Sequence, residues 1–243
     1  MVYLIFILMD KIQIIPAIEI KNGLTLEAVK WGKGEYKEVE IEVAHSSNPL
    51  DIIRAYADIG FSEIFISDLD GILEDNPDYE LLKQISFKTD IKIMADIGIW
   101  TPEDVLRLSK IKPVISSETF TSLNFLELPN EFVLAINTKD DVFLSGMNIE
   151  LVEFLDLIRG SSKIREVMIL DLSRIEGSSG PNIKLCGYVS DELPGVTTIY
   201  GGGVRSMKDV KKLYDLGINK VLVESALSSG EILKEIYSGF VKR

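Results

Sequence analysis

Apolar and polar positions along the chain fall into short buried runs separated by amphipathic stretches. Val196-Thr197-Thr198-Ile199-Tyr200 is a run of strand length, and Val210, Leu213, Tyr214 and Leu216 then recur at helical spacing. Read this way, strands are predicted at Ile12–Ile18, Glu63–Asp68, Ile91–Asp96, Pro113–Ser117, Phe132–Asn137, Val167–Asp171, Val196–Gly201 and Lys220–Glu224. Helices are predicted near Pro49–Ile59, Pro77–Ile85, Pro102–Ser109, Ile149–Arg159, Ile183–Glu192, Met207–Leu216 and Glu231–Phe240. Thr121–Leu128 reads as a short helix or an irregular turn. Leu24–Val29 and Glu38–Val43 alternate like a hairpin joined through Gly32 and Gly34, placed over one end of the fold. Eight apolar strands, each normally followed by a helix, indicate a parallel sheet covered on both faces. A chain of 243 residues fits one (β/α)8 TIM barrel, with a doubly wound open sheet as the competing architecture.

The pattern also repeats within the chain. Lys92 to Val105 lines up with Thr197 to Val210, so that Gly98 matches Gly203, Thr101 matches Ser206, and Asp104 matches Asp209. Val114–Phe120 corresponds to Val221–Leu227, and Glu63–Leu69 to Glu166–Leu172, which sets Asp68 against Asp171. The order is kept and the offset stays near roughly a hundred residues, which indicates duplicated half-barrels, about 12–120 and 131–243.

Gly201-Gly202-Gly203-Val204-Arg205-Ser206 stands between a strand and a helix. Glycines there let backbone amides approach a ligand closely, and the helix dipole adds partial positive charge, which suits phosphate. A tight βα turn with no ligand is the plainer alternative.

Charge and composition narrow the function classes. Hydrophobic residues make up 46% and charged residues 26%, as in one soluble globular domain. The net charge of −12 disfavours nucleic acid and anionic membrane as partners, so an anionic ligand needs a local amide-lined site. Cys186 is the only cysteine, which excludes an intramolecular disulfide and fits a reducing, cytoplasmic setting. No metal-ligand cluster is present in the sequence, and no cofactor is expected. His45 is the only histidine and lies in the polar loop Ala44–Asn48, where a solvated side chain is expected. The apolar start Met1–Leu8 lacks a basic flank and is too short to span a bilayer. It reads as an extra strand or plug, as a subunit contact, or as an extension ahead of a natural start at Met9.

Several motifs together carry a resemblance. Ile15-Pro16-Ala17-Ile18-Glu19-Ile20-Lys21-Asn22-Gly23, Asp68-Leu69-Asp70-Gly71, Glu176-Gly177-Ser178-Ser179-Gly180-Pro181-Asn182 and Gly201–Ser206 stand in one order from about Ile12 to the C-terminus. They resemble the motifs of the histidine-biosynthesis barrels, ProFAR isomerase and its sister imidazole glycerol phosphate synthase, and are more similar to the isomerase. The resemblance implies a barrel of the ribulose-phosphate-binding type, an aldose-to-ketose rearrangement, and a phosphate grip in each half. It implies carboxylates at the ends of the first and fifth strands, one to protonate a ring oxygen and one to remove a carbon-bound proton.

This chain departs from that pattern in its catalytic layer. The first-strand position is Glu19, one methylene longer than the family's aspartate. The fifth is Asn137, an amide that cannot exchange protons usefully near neutral pH. The family's threonine after the sixth strand is Leu170, next to Asp171. Glu19 is the expected acid/base, with Asp171 or Asp68 as its partner. A phosphate is expected at Gly201, Gly202 and Gly203 with Ser206 and Ser225, although Glu224 replaces a glycine there. A second phosphate would use Gly98 and Thr119, but Asp96 and Glu118 bring negative charge to that side. The expected ligand is therefore a phosphorylated small molecule. A synthase-type glutaminase partner is not expected, because that role also needs both strand-end carboxylates. A non-catalytic phosphate-binding barrel, or an isomerase pairing Glu19 with Asp171, remains as an alternative.

Overall fold

The computed structural model describes residues 11–30, 35–38, 41–175 and 180–240. Eight parallel strands close on one another: β1 (Gln13–Lys21), β4 (Glu63–Asp68), β5 (Lys92–Asp96), β6 (Ile111–Ser116), β7 (Val133–Lys139), β9 (Glu166–Asp171), β10 (Thr197–Gly201) and β11 (Lys220–Val223), and the short β8 (Val142–Phe143) pairs antiparallel with β7 outside the barrel. They pair in that order, and β11 returns to β1 through the register Gln13↔Lys220 to Pro16↔Val223. This is a (β/α)8 barrel, and the open sheet is excluded.

Strand periodicity builds two apolar layers. Ile15, Phe65, Met94, Val114, Ala135, Met168, Ile199 and Leu222, one from each barrel strand, pack together inside the barrel. Their neighbours, such as Ile14, Ile64, Ile93, Ile115 and Ile136, face outward against the helices. The floor is polar: Lys220 reaches Glu63 at 3.0 Å and Glu166 at 3.5 Å, and Lys112 reaches Glu166 at 3.0 Å. All four lie at strand starts, so charge pairing stoppers the end opposite the strands' C-termini.

The helices Pro49–Ile59, Ile183–Glu192 and Glu231–Phe240 run where hydrophobic spacing puts them. Two others differ. The helix from Pro102 stops at Leu106, because Leu108 turns inward to the core and Lys110 takes a left-handed φ of 61°. The stretch predicted as one helix from Pro77 is preceded by a separate one-and-a-half-turn helix, Leu69–Glu74, capped by Asp68, and the later helix runs Tyr79–Lys88. The short helix Ser225–Ser228 was not signalled by periodicity, being about one turn long. Leu123–Glu127 is a 3-10 turn.

The hairpin is present but its second strand comes earlier than alternation suggested. β2 (Leu24–Lys30) pairs antiparallel with β1 and with β3 (Glu35–Glu38), in the register Leu26↔Glu38 and Glu27↔Lys37. Lys37 pairs across the strands with Glu27 at 2.8 Å, while Ile41 is buried in the bridge Ile41↔Ser46 rather than continuing a strand. Gly32, Gly34 and the apolar start Met1–Leu8 lie outside the described residues. Among the described residues no helix is long and apolar enough to cross a membrane.

The repeated positions fall on like elements. Gly98 follows β5 with φ 69°, and Gly203 follows β10 with φ 70°. Asp68 and Asp171 end β4 and β9, and each caps the turn that follows.

Candidate functional site

One step of strand geometry decides what enters the barrel mouth. Side chains two residues apart share a face, so the position after each inner apolar residue on the same face points into the mouth. Those positions are Ser67, Asp96, Ser116, Asn137, Leu170, Gly201 and Glu224, with Glu19 on β1 one further step along, beyond Ala17, and all of them line one cavity of about 700 Å³. This is the C-terminal end of the barrel, where loops following the strands build sites.

By the same parity Asp68 and Asp171 face away from the cavity, and their oxygens serve as caps. Asp68 Oδ1 accepts from the amides of Asp70 (3.1 Å) and Gly71 (3.3 Å), and its Oδ2 from the amide of Asp78 (2.8 Å). Asp171 Oδ1 accepts from the Ser173 amide at 3.2 Å. Its Oδ2 accepts from Arg174 Nε at 3.0 Å and from Asn182 Nδ2 at 2.8 Å. Both are almost wholly buried, and neither lines the cavity. Burial raises the Asp68 carboxyl above its ordinary value, and the backbone amides of Asp78 and Gly71 counter it.

Glu19, Asn137, Gly98, Thr119, Gly201, Gly202, Gly203 and Ser225 do come together around the cavity. Glu19 (β1) and Asn137 (β7) stand on opposite walls, four strands apart in the closed order. Glu224, directly after β11, adjoins Glu19's strand. Thr119 spends its hydroxyl on the Ser116 carbonyl at 3.2 Å. Ser206 does not reach the cavity: its Oγ accepts from the Asp209 amide at 3.4 Å as the cap of helix Met207–Asp215. The Glu235 carboxylate already accepts from the Met207 amide at 3.2 Å, so the protein supplies its own anion at that helix start.

The glycine turn after β10 is held by its neighbours. Gly202 has φ 114°, and a Cβ there would sit 2.7 Å from the Asp171 carbonyl oxygen. Gly203 has φ 70°, with the Gly180 carbonyl oxygen 2.9 Å from such a Cβ. Gly98 is interlocked in the same way with the Gly71 carbonyl at 2.5 Å. Close backbone packing therefore requires these glycines whether or not a ligand is bound.

A family model described as histidine biosynthesis protein matches residues 13–233. The chain belongs to the histidine biosynthesis protein family. An uncharacterized protein of Methanocaldococcus jannaschii is 29% identical over 234 residues, spanning 94% of this chain and 99% of its own. A relative from Sulfurihydrogenibium sp., named as a phosphoribosyl imidazole-4-carboxamide isomerase (ProFAR isomerase), is 32% identical over 241 residues, 92% of this chain and 98% of its own. The isomerase of that name from Listeria innocua is 27% identical over 233 residues, 90% and 94% respectively.

Within this histidine biosynthesis barrel the far wall is a chain of hydrogen bonds. Asp96 Oδ1 accepts from the Gly98 amide at 3.0 Å, and its Oδ2 from Ser116 Oγ at 2.9 Å. Asn137 Nδ2 donates to Ser116 Oγ at 3.1 Å and to Glu118 Oε1 at 2.8 Å. The Glu118 carboxylate accepts only, which fixes the amide orientation and leaves Asn137 Oδ1 buried with no hydrogen-bond partner. Burial raises the Asp96 carboxyl to about 6, with the bonds from Gly98 and Ser116 opposing and the charges of Glu118 and Asp68 assisting. On the near wall burial holds Glu224 well above the ordinary carboxylate range, and the charges of Glu19 and Glu27 add to it.

Glu224, Asp96, Ser116, Glu118 and Glu27 were not singled out in the sequence as members of one acid/base layer. The signal was available: each of Asp96, Ser116 and Glu224 lies two residues beyond an apolar inner residue of its strand. Glu27 reaches the mouth because the hairpin extends β1.

Proposed function

We propose that this barrel is a divergent relative of ProFAR isomerase that acts on a different phosphorylated small metabolite. The observation that carries the reading is Asn137: the wall opposite Glu19 presents an amide, held by Ser116 and Glu118, where the two-carboxylate rearrangement needs a proton carrier. Proton exchange in this chain then falls to the near wall. Burial and the Glu19 charge both raise the Glu224 carboxyl, so the two members of the pair differ in proton affinity and can divide the roles of acid and base. That division suits an enolisation or an aldose–ketose rearrangement, in which one oxygen gains a proton while the neighbouring carbon loses one.

The phosphate of the ligand is assigned to the Gly201–Gly203 turn with Ser225. Gly202, Gly203, Val204 and Ser225 line the cavity there, and the glycine turn lets backbone amides come close to an anion. Glu224 beside Ser225, its carboxyl raised by burial, opposes that phosphate less than an ordinary glutamate would. The far wall, with Asp96 and Glu118, is unsuited to a second one. Complementation tests the assignment: the chain should fail to rescue a histidine auxotroph lacking ProFAR isomerase, and growth at the rate given by the authentic enzyme would refute it.

A further inference from the structure

Resting on the phosphate assignment just made, we propose that the far wall of the cavity binds the ammonium group of a phosphorylated primary amine, beside Asp96, Glu118 and Asn137. Charge is the first support. Among the described residues Asp96 and Glu118 set two carboxylates on the far wall, and the one cation that lines the cavity is Arg205. Arg205 lies with the glycine turn and pairs with Asp209 at 3.2 Å, away from the far wall.

Hydrogen bonding is an independent support. Asn137 is 4% exposed, and its Oδ1 accepts nothing. A buried carbonyl left without a donor is costly, and this one belongs to a residue that lines the cavity. Next to it stand two carboxylates whose exposed or unspent lone pairs also accept. The acceptors of Asp96, Glu118 and Asn137 match an ammonium group, which offers three donors and accepts none.

Trp100 is the third support. Its side chain is half exposed yet lines the same cavity, on the loop that carries Asp96 and Gly98. An indole face attracts a cation, the more so where carboxylates have drawn it out of water. With the glycine turn at one end and Asp96 and Glu118 at the other, the cavity suits a ligand bearing one charge of each sign.

Titration calorimetry of the full chain near neutral pH tests this with matched probes. Phosphoethanolamine is compared with ethylene glycol phosphate, and glucosamine phosphate with glucose phosphate; inorganic phosphate, ethanolamine and a sugar bisphosphate are measured alongside. Each amine should bind at least ~10-fold more tightly than its hydroxyl counterpart. Glu118→Gln keeps an acceptor for Asn137 and should remove most of that advantage without changing the affinity for inorganic phosphate. Trp100→Leu should reduce it independently. Equal affinity within the matched pairs, a bisphosphate that binds more tightly than any amine, or an amine advantage untouched in both variants would overturn the inference. Inorganic phosphate binding with no amine preference defeats this inference and leaves the phosphate assignment standing. An amine preference equally strong in ethanolamine alone upholds this inference and defeats the phosphate assignment.

Discussion

The Asn137 side-chain amide donates to the Glu118 carboxylate at 2.8 Å, joining β7 to the loop after the adjacent β6 at the barrel mouth. The same nitrogen reaches Ser116, and through it Asp96, so three neighbouring strands share one polar wall. An aspartate at 137 would put a third carboxylate against Glu118 and Asp96. The substitution at 137 and the acids at 96 and 118 thus form one consistent set, and changing one member disturbs the others.

Asp96 links this wall to pH. Its folded carboxyl sits at about 6 against 3.8, because burial penalises the charge. A group raised on folding stabilises most below its unfolded value, and stability falls as pH climbs from about 3.8 to about 6. The loss is on the order of 3 kcal/mol, several degrees in melting temperature for a chain of this size. Asp96→Asn keeps an acceptor for the Gly98 amide and should flatten that part of the profile. Melting curves of both proteins across this range decide it; identical slopes would count against a buried, proton-holding Asp96.

The near wall predicts a coupled titration. Glu19→Gln removes a charge that helps hold the Glu224 proton, so the Glu224 carboxyl should titrate at lower pH in that variant while burial keeps it above an ordinary glutamate. Carboxyl-carbon NMR of labelled glutamate measures the change directly. An unmoved Glu224 resonance would separate the two groups and dissolve the acid/base pair.

Asp68 and Asp171 are predicted to support the fold and not the chemistry. Asp68→Ala should cost about 0.5–2 kcal/mol through the lost cap. Asp171→Asn should cost more, since it also leaves Arg174 and Asn182 poorly matched. Phosphate affinity, measured calorimetrically, should stay within about twofold in both variants. A tenfold loss of binding with unchanged melting would place these carboxylates in the site instead.

How far the sequence could be read depended on which physical rule governed each residue. Apolar runs and helical spacing located all eight barrel strands, and the repeat of Gly98 on Gly203 marked corresponding loops. Glu19 and Asn137 were legible because motif and strand position coincide. Asp68 and Asp171 show the limit: a carboxylate at a strand end can face the mouth or cap the next turn, and a single residue of register separates the two. Glu224 lies on the inward register but reads as an interruption of a glycine turn. Its partnership with Glu19 arises only when the last strand closes on the first. The hairpin misplaced its second strand because Ile41, which continues the alternation, is buried in a turn.

Steady-state turnover of ProFAR by the wild type, Asn137→Asp and Glu19→Gln tests the central claim most directly. Loss of one positioned proton carrier is worth ~10²–10⁴ in rate. The longer Glu19 side chain adds a misplacement on the order of 1 Å, for up to ~10² more. The account predicts weak or absent turnover by the wild type, none by Glu19→Gln, and any activity that emerges to do so in Asn137→Asp. Robust turnover by the wild type would contradict it and make the chain an ordinary ProFAR isomerase.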